Sequence, residues 1–326
     1  MDYVKLGASG LEVSRLCLGC MSYAAGPTAS HGWLFDKAQS KPFFRKALDL
    51  GINFFDTANA YSAGASEETL GEVLLREVRR EDVVILTKVF NRMRPGPNGA
   101  GLSRKVIMAE IDASLRRLGT DHVDVYMIHR WDPTTPLEET LEALNDVVKA
   151  GKARYLGASS MWAWQLCRAI ETQKANGWAR FIAMQNHMNL LYREEEREML
   201  PYCREAGVGV IPWSPLARGR LSRPVGAGSD RAATDGYTPQ LYRTEEACEA
   251  EILGQVAQIA AARGVSQAEV AMSWLLSRLG IAAPVMGATR PEHLEAAARA
   301  LDLTLTPDEI AALEAPYRPR PVIGFA

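Results

Sequence analysis

Asn53-Phe54-Phe55-Asp56-Thr57-Ala58-Asn59-Ala60-Tyr61 passes from an apolar run into a carboxylate and, five residues on, a phenol. The same grammar recurs in Val84-Ile85-Leu86-Thr87-Lys88 and in Val125-Tyr126-Met127-Ile128-His129. Each run has the length of a buried strand, and each ends on a polar side chain. The intervals between them are about one strand–helix unit, taking ~250 residues for eight units as the barrel standard. A carboxylate, a phenol, an amine and an imidazole delivered from successive strand ends suit proton handling better than packing.

Outward from these runs, apolar segments at 16–19, 52–55, 83–87, 123–128, 153–157, 181–184, 208–211 and 281–285 alternate with amphipathic stretches. Near-continuous apolar strands separated by helices imply parallel strands buried on both faces. A doubly wound dinucleotide sheet should carry G-x-G-x-x-G after an early strand, and Gly7, Gly10 and Gly19 do not have that spacing. The expected fold is therefore α/β, a (β/α)8 TIM barrel forming one domain over residues 1–326, with its working face at the strand ends. Helix ends are legible. Ser103 opens a helix that Gly119 closes, and Thr135-Pro136-Leu137-Glu138 and Thr306-Pro307-Asp308-Glu309 have the form of capping boxes. The helix after Thr306 follows the eighth strand and is expected to pack outside as an extra element. Tyr3 to Val13, broken by Gly7-Ala8-Ser9-Gly10, predicts a β-hairpin that plugs the opposite end of the barrel. The Gly-, Arg- and Pro-rich segment 217–242 is the lid candidate.

The bulk numbers exclude several function classes. Of 326 residues, 47% are hydrophobic and 23% charged, an ordinary globular composition. A formal charge of −2 gives no electrostatic reason to expect nucleic acid or an anionic membrane as partner. No run approaches the ~18–20 apolar residues of a membrane span. Met1-Asp2-Tyr3-Val4-Lys5 lacks a signal-peptide pattern, and five cysteines fit a reducing, cytoplasmic setting. Cys17 and Cys20 form a C-x-x-C without a second pair at zinc spacing, so strand burial and no metal are expected.

The motifs resemble the aldo-keto reductase family along essentially the whole chain. They are Phe54-Phe55-Asp56-Thr57-Ala58 with Tyr61, Leu86-Thr87-Lys88, Ile128-His129-Arg130-Trp131-Asp132, Gly157-Ala158-Ser159-Ser160, Met184-Gln185-Asn186, Trp213 to Gly219, and 284–294. Within the family the chain looks most like a bacterial branch similar to potassium-channel β subunits, and there like an enterobacterial reductase connected with 1-deoxyxylulose-5-phosphate formation. The resemblance implies NADPH-dependent reduction of a small carbonyl substrate. It also suggests two alternatives, a sugar-phosphate enzyme and a slow NADP-binding regulatory subunit, and leaves the oligomeric state open.

The four residues make chemical sense without the family. A carbonyl accepting hydride develops alkoxide character and needs a donor at its oxygen. Tyr61 is the expected acid, with Lys88 expected to lower its pKa, Asp56 to hold Lys88, and His129 to orient the carbonyl. By resemblance, Ser159 and Gln185 hold the nicotinamide carboxamide and Trp213 stacks on its ring. Ser214, Pro215, Leu216, Arg218 and Gly219 surround the pyrophosphate, while Gly287, Thr289, Arg290 and His293 receive the adenosine end. Arg290 suits a 2′-phosphate, favouring NADP(H), although Ala296-Ala297 stand where many relatives carry Glu-Asn. Tyr23, Trp33 and Trp131, with His31, are the expected substrate wall. Arg130 and Arg220 offer a grip for a phosphorylated sugar, with plain surface charge as the other reading.

Overall fold

The computed structural model describes residues 1–25, 34–224, 241–242 and 247–323. Strands β1 (Tyr3–Lys5) and β2 (Glu12–Ser14) form an antiparallel hairpin. Then come β3 (Cys17–Gly19), β4 (Phe54–Asp56), β5 (Val84–Val89), β6 (Val123–Ile128), β7 (Ala153–Ser159), β8 (Phe181–Gln185), β9 (Gly209–Val210) and β10 (Val285–Met286). These eight pair in parallel, each beside its neighbour in sequence, with β10 returning to β3. Parallel bridges Val210–Ile281 and Trp213–Val285 join β9 to β10 and close the ring. The result is the (β/α)8 barrel expected from the alternation of runs.

Around the strands lie α1 (Lys37–Asp49), α2 (Ala65–Thr69), α3 (Arg104–Leu118), α4 (Leu137–Lys149), α5 (Ala163–Ala175), α6 (Met199–Ala206), α7 (Ala247–Arg263), α8 (Gln267–Leu276) and α9 (Pro291–Arg299). The extra helix α10 (Pro307–Glu314) follows, with Leu313 buried and a capping box from Thr306 to Glu309. Ser103 caps α3 through the Val106 N–H, and Gly119 ends it in the left-handed region. The box expected at Thr135 is not formed: Pro136 is the N-cap residue of α4, and the Thr135 hydroxyl donates to Asp132 Oδ2 instead (2.8 Å).

Strand alternation decides what faces the barrel axis. Phe54, Val84, Leu86, Val125, Met127, Ala183 and Ile211 pack together in one interior cluster. Their outward neighbours Phe55, Ile85, Tyr126 and Ile128 belong to the larger core under the helices. Two residues beyond each inward apolar position stands a polar one: Asp56 after Phe54, Lys88 after Leu86, His129 after Met127, Gln185 after Ala183. Gly157 completes the layer, because a Cβ there would lie 2.6 Å from Met127 Cε. Leu6 and Val13, both fully buried, carry the hairpin into the same cluster and seal its other end.

The plug should therefore be structural rather than decorative. Leu6→Ala is expected to cost about 2–5 kcal/mol through the cavity it leaves. Urea unfolding should show this as a lower midpoint with unchanged slope, whereas Lys5→Ala, on the exposed side, should stay within about 0.5 kcal/mol.

Candidate active site

The inward polar layer meets in the upper barrel. Lys88, fully buried, places Nζ 2.6 Å from Asp56 Oδ1. The same ammonium donates to the Thr57 carbonyl at 2.8 Å and to the Tyr61 hydroxyl at 3.1 Å, so three oxygens absorb its three protons. Gln185 Nε2 donates to the same Asp56 oxygen at 2.8 Å. The His129 ring stands edge-on to Tyr61, centroids 5.8 Å apart. Sequence positions far apart thus converge, because each occupies the same place in its strand's inward column.

Burial and charge set the protonation states. Burial favours the neutral form of Lys88, yet Asp56 and then Tyr61 outweigh it and hold its pKa above the ordinary value. For Tyr61 burial is the largest influence and raises the phenol, with Lys88 pulling it back only in part. The expected depression of Tyr61 is therefore not reached: it remains a protonated phenol. Burial, followed by the positive charges of Lys88 and Arg130, pushes His129 well below its usual range, so it is neutral.

Two supports were not visible in the sequence. Asn91 lies on the loop after β5, with its side-chain amide 3.1 Å from His129 Nδ1. With the amide N–H donating, Nδ1 is the acceptor and the ring proton sits on Nε2. On the outward side of β5, Thr87 donates to Glu67 (2.5 Å), and Glu67, with no exposed surface, pairs with Arg117 at 2.6 Å. Arg117 Cδ occupies the space a Cβ on Gly64 would need (2.5 Å), and Gly64 has φ +102. Ser62 and Ala63, just after Tyr61, are held in the left-handed region at φ 47 and 53, a strain that clusters at functional sites. Long-range pairing of this kind has no local sequence signal.

A cavity of ≈ 980 Å³ opens over this layer. Asp56, Tyr61, His129, Ser159, Gln185 and Trp213 line it. Ser214, Pro215, Leu216, Arg218 and Gly219 line it too, as do Gly287, Thr289, Arg290 and His293. All of the expected cofactor residues therefore share one space. Ser214, Ala217, Arg218 and Gly219 have positive φ, which turns successive peptide groups into a concave loop. Arg290 is the N-cap residue of α9, makes no side-chain cap and lines the cavity, its Nε donating to His293 Nε2 at 3.3 Å. Ala296 and Ala297 also line it. Trp213 is fixed by stacking on His187 (4.2 Å, 11°), itself stacked on Tyr192 (4.4 Å, 14°), and by its Nε1 donating to Ser160 Oγ at 3.2 Å.

The substrate wall needs correction. Tyr23 has no exposed surface, packs among Phe35, Phe43 and Phe44, and donates its hydroxyl to the Ala288 carbonyl. It belongs to the core under α1, because the chain after β3 turns its ring outward from the barrel mouth. Trp131 packs edge-on against Trp164 at 6.2 Å and is not among the residues lining the cavity. His31 and Trp33 lie outside the described residues, as does 225–240 of the lid candidate. Arg220 is taken up by Glu249 at 2.5 Å.

Among known proteins, the aldo/keto reductase family model matches residues 15–318. The chain belongs to the aldo-keto reductase family and is an oxidoreductase of its carbonyl–alcohol kind. It is 43% identical to versiconal hemiacetal acetate reductase of Aspergillus parasiticus, over 99% of this chain and 98% of the relative. A putative aryl-alcohol dehydrogenase of Schizosaccharomyces pombe is also 43% identical (99% and 97%), and one of Saccharomyces cerevisiae 38% (97% of each). These relatives are fungal, and none carries a channel-subunit or sugar-phosphate name, so they lend no support to the bacterial branch expected from the sequence. Among the described residues, no helix is long and apolar enough to cross a membrane, and no cluster of potential metal ligands is present.

Behind the stack, Glu195 accepts from Asn186 at 2.8 Å, and burial lifts its carboxyl from 4.5 to about 8. A carboxyl raised on folding binds its proton more tightly in the native state, so stability is full at acid pH and falls as pH rises towards 8. Glu195→Gln should remove that fall. Melting temperatures recorded from about pH 5 to 9 should converge for the two proteins at the acid end and favour the variant at the alkaline end.

Proposed function

We propose that the chain reduces aldehydes or ketones to alcohols with NADPH, the whole chain working as one catalytic domain and Tyr61 as the acid. The observation that carries this reading is the buried Asp56–Lys88–Tyr61 chain, whose Asp56 and Tyr61 line a cavity of ≈ 980 Å³, roomy enough for a dinucleotide. The concave loop at 214–219 and the start of α9 with Arg290 fit the charged middle and far end of such a molecule. Ser159, Gln185 and Trp213 would hold the nicotinamide end, and Arg290 with His293 a 2′-phosphate. When bound, the nucleotide supplies the hydride.

The protein's part is then proton delivery and orientation. Tyr61, held protonated, gives its hydroxyl proton to the oxygen that becomes the alcohol. Lys88 stabilises the phenolate this leaves, and Asp56 keeps Lys88 charged. Neutral His129, donating from Nε2, fixes the carbonyl oxygen and remains neutral beside two cations. The reductase and aryl-alcohol dehydrogenase names of the relatives support the reaction class.

Mixing the protein with NADPH and 4-nitrobenzaldehyde should consume nicotinamide absorbance. Tyr61→Phe should lower kcat by about 10²–10⁴-fold while nucleotide binding, followed by quenching of tryptophan fluorescence, persists. Full turnover by that variant would remove Tyr61 from its role. Arg290→Ala should weaken NADPH binding by about tenfold to a hundredfold and NADH binding far less, as loss of a charged hydrogen bond requires. Equal weakening of both would refute the 2′-phosphate assignment.

A further inference from the structure

One cation beside the reacting end has no assigned task. Arg130 follows His129, is half-buried, and lines the cavity. Its Nη1 donates to the His129 carbonyl at 2.7 Å, and no other hydrogen bond holds it among the described residues. That single bond ties the guanidinium down while leaving the Nε–Nη2 edge, the side-on fork of an arginine, without a protein partner. Its charge lies close enough to Tyr61 and His129 to favour the phenolate of one and the neutral ring of the other.

Four other half-buried arginines, each with a carboxylate partner, sharpen the contrast, whereas Arg15 is held by three backbone carbonyls. Arg80 pairs with Asp124 at 2.7 Å, Arg117 with Glu67 at 2.6 Å, Arg220 with Glu249 at 2.5 Å and Arg278 with Glu314 at 2.7 Å. Removing a guanidinium from water without a counter-charge is costly, and these pairs offset that cost. Among the described residues no carboxylate comes within ion-pair reach of Arg130. Asp132, two residues on, is engaged elsewhere: it accepts from the Leu102 and Thr134 N–H groups and from both threonine hydroxyls, at 2.6–2.9 Å.

We propose that Arg130 is an anion subsite for the substrate, so that the chain prefers carbonyl compounds that also carry a carboxylate or phosphate. This rests on the carbonyl-reducing reading of the same cavity. A planar fork with both hydrogens free matches the two oxygens of either group, and its place beside Tyr61 and His129 puts the anion a short chain length from the carbonyl. An anion bound there would also lessen the charge that Arg130 exerts on both catalytic groups.

The test uses matched pairs with the full-length protein and NADPH: 4-carboxybenzaldehyde against methyl 4-formylbenzoate, succinic semialdehyde against butyraldehyde, and glyceraldehyde 3-phosphate against glyceraldehyde. In the native protein kcat/KM should favour the anionic member, the first two pairs reporting carboxylate and the third phosphate. In Arg130→Gln the anionic-to-neutral ratio should fall by about tenfold to a hundredfold, and Arg130→Lys should restore part of it. No anionic preference in any native pair, or an equal loss for both members of a pair, would overturn the proposal; equal loss would make Arg130 an electrostatic aid to the reaction alone. Calorimetric titration of the NADPH-loaded protein with 4-(hydroxymethyl)benzoate separates the two readings. Arg130-dependent binding without turnover of any aldehyde keeps the subsite and refutes the reductase reading, whereas turnover of neutral aldehydes with no such binding does the reverse.

Discussion

The buried contact between Lys88 and Asp56 is the constraint on which the site depends. An ammonium and a carboxylate held at 2.6 Å, with 0% and 3% of their side chains exposed, leave no room for water to screen either one. Such a pair persists only where further hydrogen bonds complete it, and here Thr57, Tyr61 and Gln185 do so. Removing any one partner leaves a charge or a lone pair stranded in the barrel. The geometry of Tyr61 is therefore a by-product of satisfying Lys88: the phenol is the third oxygen that the ammonium needs. The strained turn at Ser62 and Ala63 and the Arg117–Glu67 pair under it keep that oxygen within reach.

Barrel architecture supplies the rest through parity. Phe54, Leu86 and Met127 point inward, so the residues two steps on point inward as well, at the level where the strands end. The apolar layer below and the Leu6–Val13 plug keep water from reaching the ion pair from beneath. Gly157 belongs to this logic, since any side chain there would displace Met127 and disturb the layer that carries His129.

This explains what could be read from the chain alone. Strand runs and the polar residues that end them are local patterns, so β6 is observed at the expected 123–128, and Asp56, Lys88 and His129 stand within one residue of their strands' ends. Tyr23 is not legible in this way, because a tyrosine beside a strand end looks the same whether it faces the pocket or the helix layer; Phe35, Phe43 and Phe44, over ten residues on, decide its place. Thr135 has the right neighbours for a cap, but Asp132 competes for its hydroxyl and wins with several donors converging on one carboxylate. Asn91 and Glu67 act across strands, and one sequence records no such pairing. Arg130 and Arg220 were equivalent as letters; only folding showed that Glu249 neutralises one of them.

The protonation states also bear on direction. A phenol raised by burial is in the right form to give a proton and in the wrong form to take one. Lys88 limits the rise without reversing it, so at neutral pH Tyr61 is in the protonated form that the proposed mechanism requires. Oxidation of an alcohol would need the phenolate, whose population grows only as pH rises towards the phenol's elevated pKa. In the same mechanism His129 would add to this bias, since a neutral imidazole with its proton on Nε2 can donate to an oxygen gaining negative charge and does not compete with Tyr61 as a stronger acid. Under the proposed mechanism, a site built on this ion pair suits carbonyl reduction near neutrality, and the reverse reaction should become relatively faster in alkali.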